Sequence, residues 1–99
     1  MTVYAIAMAE VQEDSDLAEA DISEYWNDAV DKANAFMTRC VGDFYEIDPG
    51  DWEGRRKKLE EHVFREESEF QGLRKLECSF DDPDGALAVV ACVQEVELP

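Results

Sequence analysis

From Ile22 to Cys40, apolar side chains return every three or four residues: Ile22, Tyr25, Trp26, Ala29, Val30, Ala33, Phe36, Met37 and Cys40. That spacing gives an α-helix one continuous apolar face, and such a face must be buried against a second layer. The stripe predicts a helix over Ile22 to Val41. Asp21, with Glu24 three positions on, has the form of a capping pair at its start. Gly42 stands where a left-handed residue would close it, and Arg39 suits the negative end of its dipole.

The second layer comes from strands. Val3 to Val11 carries Val3, Ala5, Ala7, Ala9 and Val11 on one face and Tyr4, Ile6 and Met8 on the other. Apolar residues on both faces predict a central strand, with the alanine face leaving room for a helix to lie close. Gln12 to Ala20 is expected to be an acidic connector. Asp43 to Ile47 is expected to be a short strand or an extended connector. Asp48-Pro49-Gly50 is a turn, and Asp51 can cap a second helix from Trp52 to about Phe70, ended by Gly72. On that helix Arg56 would pair with Glu60, and Lys57 with Glu61. Leu73 to Phe80 alternates as a strand. Asp81-Asp82-Pro83-Asp84-Gly85 is a loop, and Ala86 to Leu98 is a last strand lying beside the first. The expectation is one α+β domain over residues 1–99: a mainly antiparallel sheet of three to four strands with two helices on one face, in the order β-α-(β)-α-β-β.

Charge narrows the function. The chain has 25 acids against 9 bases, a formal charge of −16 on 99 residues. Residues 1–31 hold nine carboxylates and no lysine or arginine. With an apolar fraction of 45%, the acids belong to a folded surface and not to a disordered tail. A phosphate-binding footprint must be positive, so direct nucleic-acid binding is not expected. The only basic cluster, Arg55-Arg56-Lys57-Lys58, sits among acids; it reads as a solvated helix turn or as a patch that docks on the acidic half of a second copy, giving a homodimer. No apolar run approaches the length of a membrane span, no basic residue precedes Val3–Ala9 as in a secretory signal, and the odd set Cys40, Cys78 and Cys92 suits reduced thiols. A cytoplasmic protein is expected, in the host cell's cytoplasm if a phage encodes it.

Catalytic and metal chemistry find no pattern. His62 is the only histidine, placed inside the second helix. No nucleophile elbow, phosphate loop or zinc spacing is present. Asp81, Asp82 and Asp84 begin like a calcium loop, but the position that needs a glutamate is Val93. The expectation is a protein that is not an enzyme and uses no cofactor or metal.

Glu24, Asp28 and Asp31 would share the side of the first helix opposite its apolar stripe, with Asp14, Asp16 and Glu19 extending the charge upstream. A fixed row of carboxylates can meet a groove built for nucleic acid with the lysines and arginines that groove already holds. In compact length, an acid-dominated first half from Glu13-Asp14-Ser15-Asp16 onward and the lack of a catalytic motif, the chain resembles the small acidic proteins that phages use against host defence, the DNA-mimicking anti-restriction and anti-CRISPR proteins. The resemblance is one of overall character; no family motif is matched and no residue role is carried over. It implies inhibition by occupying the nucleic-acid groove of a Cas effector complex or nuclease. The expected partner is a basic nucleic-acid-binding protein, bound through Asp14, Asp16, Glu19, Glu24, Asp28 and Asp31. The alternative is an immunity protein or antitoxin that covers a basic toxin.

Overall fold

The computed structural model describes residues 1–99. Its elements run β1 (Thr2–Gln12), β2 (Ser15–Ser23), α1 (Trp26–Phe44), α2 (Trp52–Glu60), β3 (Val63–Phe70), β4 (Leu73–Asp81) and β5 (Leu87–Glu97). The five strands form one antiparallel sheet in the order β2-β1-β5-β4-β3. The fold is α+β, with five strands where the sequence suggested three to four. β5 lies beside β1, as its two apolar faces required.

The core lies between the sheet and the helices. Ile6 and Met8 of β1, Val89, Ala91 and Val93 of β5, and Leu76, Cys78 and Phe80 of β4 meet Ala29, Ala33, Phe36, Met37 and Val41 of α1 and Leu59 of α2. Ala29 and Ala33 are fully buried, so α1 approaches the sheet closely. It does so on the Tyr4–Ile6–Met8 face of β1. The alanine face of β1, expected to receive a helix, faces away from the core. The helix follows the bulkier face because burying larger side chains removes more apolar area from water.

Two strands replace what the sequence suggested were other elements. Gln12 to Ala20 is no connector: Glu13 and Asp14 make a two-residue turn, and Ser15–Ser23 pairs with β1 from Gln12↔Ser15 to Tyr4↔Ser23. Asp21 therefore sits in a strand and cannot cap a helix. The helix starts at Trp26 with Tyr25 as its cap residue and no side-chain cap bond. Ser23 stands in locally: its hydroxyl donates to Asp28 at 2.9 Å and accepts the Tyr25 N–H at 3.2 Å.

At the other end α1 runs through Gly42 to Phe44, and no strand forms over Asp43 to Ile47. The left-handed residue is Glu46 (φ 57°). The Ile47 N–H bonds to the Gly42 carbonyl at 2.9 Å and the Glu46 N–H to the Asp43 carbonyl at 3.2 Å. This is the paired closure typical of helix ends, shifted four residues beyond the glycine that suggested it. Gly42 is glycine for another reason: a Cβ there would come within 2.5 Å of the Arg55 side chain.

Asp51 does cap α2, accepting the Gly54 N–H at 2.9 Å, but α2 stops at Glu60. The residues from Val63 to Phe70 form β3, which turns through Gln71 (φ 53°) and Gly72 (φ 79°) into β4. Gly72 thus serves a hairpin and not a helix end. The expected pairs Arg56–Glu60 and Lys57–Glu61 give way to Lys57–Glu53, Lys58–Glu61 and Arg65–Glu60. Cys78 and Cys92 project to opposite faces of the sheet, and all three cysteines are free. No helix is long and apolar enough to cross a membrane.

Candidate partner-binding surfaces

The six carboxylates singled out by sequence do not make a row on one helix. Asp14 is in the β1–β2 turn, Asp16 and Glu19 are on β2, Glu24 follows it, and only Asp28 and Asp31 are on α1. Because side chains alternate along a strand, Asp16 projects to the face of the sheet away from the helices, whereas Glu19 and Asp21 project to the helix face. All six are exposed. They follow the outer edge of the molecule, along a strand about 30 Å long at ~3.3 Å per residue.

Two of the six already have partners inside the chain. Glu19 holds Arg39 of α1 at 3.3 Å. Asp28 and Asp21 converge on Lys32, at 3.9 and 3.3 Å. The Asp21 carboxyl is held below the usual aspartate range, first by the Ile22 N–H it accepts and then by Lys32. These ion pairs tie the edge strand to α1. Asp14, Asp16, Glu24 and Asp31 make no ion pair and stay free for another molecule.

The bases are spent internally. Lys32, Arg39, Arg55, Lys57, Lys58, Arg65, Arg74 and Lys75 all sit in intrachain ion pairs, leaving Arg56 alone without one. Arg55 is 3% exposed. Its guanidinium donates to Asp43 at 2.8 Å and to the carbonyls of Arg39, Ile47 and Asp48. It closes the α1–α2 loop from inside and is no part of a basic surface patch. Lys58 lies over the Tyr45 ring. The suggested Arg55–Lys58 docking patch is thereby reduced to Arg56 and Lys57.

His62 is in the turn between α2 and β3, outside the helix that sequence assigned it, with its ring edge-on to Phe80 at 6.1 Å. Cys40 is buried, and burial with Glu10 nearby pushes its thiol up to about 12. Tyr45 donates to Asp82, which also accepts the Asp84 and Ala86 N–H groups. Burial, then this bond, raises the Tyr45 hydroxyl to about 12, and the Asp82 carboxyl is lowered by the same hydroxyl. No three His, Cys, Asp or Glu side chains converge as metal ligands.

One surface was missed altogether. The sheet face opposite the helices carries Ala5, Ala7 and Ala9 of β1, Ala18, Ala20 and Ile22 of β2, Val90 and Cys92 of β5, and Phe64 and Phe70 of β3. Phe64 and Phe70 are 62% and 71% exposed. A trough of about 770 Å³ runs across it between Ala18 and Phe64. The signal was present in the alternation of Ala18, Ala20 and Ile22 against Leu17, Glu19 and Asp21, which is the period of a strand. Compared with protein-family models, with curated proteins and with solved structures, the chain matches none of them.

Proposed function

We propose that the protein is a non-enzymatic inhibitor that docks its acidic edge on the basic nucleic-acid-binding site of a host defence complex, a Cas effector or a nuclease. The observation that carries this reading is the state of the edge. Carboxylates lie along β2 and the start of α1, on backbone held by the β1 ladder and by the Asp21–Lys32 and Glu19–Arg39 pairs, and the one base without an ion pair near them is Arg56, which shares a cleft with Asp31. Asp14, Asp16, Glu24 and Asp31 keep free side chains, but the backbone that carries them is set before binding, which limits the freedom lost on association, and their field speeds encounter with a positive groove. A groove lined by lysine and arginine would find in Asp14, Asp16, Glu24 and Asp31 the acceptors it normally finds in phosphates.

Substituting Asp14, Asp16, Glu24 and Asp31 together with lysine tests the reading. Inhibition of nucleic-acid binding by the effector is expected to disappear while cooperative unfolding persists, because none of the four holds another element. Glu19 and Asp28 are left in place because they do. A folded quadruple variant that still inhibits would put the site elsewhere.

A further inference from the structure

The bare sheet face has a two-fold pattern written into its residues. Asp21, Ile6, Val93, Leu76 and Glu67 form one row straight across the five strands. Counting outward from that row along each strand, several apolar side chains recur at equal distances on either side, although Cys92 mirrors Gln94, Glu66 mirrors Ser68 and Leu73 mirrors Ser79. Ala5 mirrors Ala7 on β1, Ala20 mirrors Ile22 on β2, Val90 mirrors Val96 on β5, and Phe64 mirrors Phe70 on β3. On β4 the mirrored pair is Lys75 and Glu77, which carry opposite charges.

We infer that this face is where a second copy of the chain packs, sheet on sheet, about a two-fold axis lying beneath that row and across the strands. Such an axis sets each strand over the same strand of the partner, running the other way, in the aligned arrangement that twisted sheets adopt. Lys75 then faces the partner's Glu77 and Glu77 the partner's Lys75. Joined to the intrachain contact at 2.7 Å, they close a ring of alternating charge. Phe64 of each copy lies over the partner's Phe70 at the β3 edge, while alanines let the sheets approach closely at the β1 and β2 side. A two-fold along the strands beneath β5 would instead set Glu77 over the partner's Ala7 and Lys75 over the partner's Ala5, so that neither meets an opposite charge across the interface, which is costly for a charge. Five strands ~4.8 Å apart and some eight residue steps long offer roughly 600 Å² per copy, close to the ~800 Å² per partner of a standard interface.

The dimer leaves Glu19, Asp21, Asp28 and Asp31 facing outward, places Asp16 at the β2 end of the covered face, and does not depend on the inhibitor reading. Each copy carries −16, so the copies repel at long range. Salt therefore strengthens this association, the opposite of its effect on docking to a basic partner.

Sedimentation equilibrium on the full chain tests the inference. The wild type is expected to reach twice the 11.3 kDa chain mass at high micromolar concentration, with the dimer fraction rising with salt. E77K alone and K75E alone are each expected to stay monomeric, because like charges then meet across the axis. An equimolar mixture of the two is expected to recover dimers. A wild type that stays monomeric at high salt, single variants that dimerise unaided, a mixture that fails to pair, or loss of the dimer on R56E/K57E would each overturn it.

Discussion

Gly42 and Arg55 compete for the same space, and a single methyl group decides between two effects. Alanine at a helix interior position gains about 1 kcal/mol over glycine. At Gly42, however, the new Cβ would meet three atoms of a buried guanidinium side chain fixed by four hydrogen bonds. Overpacking of this kind costs about 1–3 kcal/mol, so Gly42→Ala is expected to lower stability in urea unfolding. Arg55→Ala should lower it by about 2–4 kcal/mol, since it strands the loop carbonyls that the guanidinium satisfies. Glu46 is the reverse case: a non-glycine residue in the left-handed region, closing α1. Glu46→Gly is expected to raise stability by about 0.5–1 kcal/mol, because glycine takes up that conformation without steric cost. The Tyr45–Asp82 bond gives a pH signature at both ends of the scale. Asp82 is lowered, so its contribution is complete above the ordinary aspartate range and fades as pH falls through and below it. Tyr45 is raised to about 12, so its contribution is complete below the ordinary tyrosine value near ~10 and fades as pH climbs toward 12. Tyr45→Phe should flatten both limbs of the stability–pH curve; an unchanged curve would remove this bond from the account.

Among the elements, those that bury a face were legible and those that do not were misplaced. The stripe of α1, the Asp51 cap, the Asp-Pro-Asp-Gly loop and the doubly apolar β1 and β5 all sit where burial or turn chemistry forces one solution. β2 and β3 are edge strands whose side chains are almost all exposed. With no core face of their own, they carried no apolar alternation toward the helices. On β3, Arg65, Glu66, Glu67 and Glu69 imitate the charge pairing of a helix. Charge along a sheet edge also discourages unwanted strand pairing, so the composition that hid these strands is the one an exposed edge requires. The candidate site shared that fate. Its residues were legible as acids but not as an edge, because placing them depended on recognising β2. Lys32, with Arg39, holds this edge to α1. Lys32→Ala should change global stability by less than about 1 kcal/mol, as for exposed ion pairs, yet speed hydrogen exchange of the outward β2 amides. Unchanged exchange would mean the β1 ladder and the Arg39–Glu19 pair fix the edge without Lys32.

At the scale of the whole molecule, the helices cover one side of the sheet and leave two surfaces of different chemistry. On the proposed readings, the acidic edge would meet a positive partner with affinity that falls with salt, and the alanine- and phenylalanine-bearing face would meet another acidic copy with affinity that rises with it. The two surfaces meet at Asp16, which lies at the β2 end of the bare face, whereas Asp31 on α1 points away from it. Opposite salt responses separate them in a single titration series. The edge is the claim on which function rests. Its most direct test is the Kd of the protein for an isolated Cas effector complex between low and moderate salt, with nucleic acid as competitor. If carboxylates stand in for phosphates, Kd should weaken by at least about tenfold from ~50 to ~200 mM salt, as multiple charge contacts require, and nucleic acid should displace the protein. A Kd indifferent to salt, or simultaneous binding of nucleic acid and protein, would contradict it.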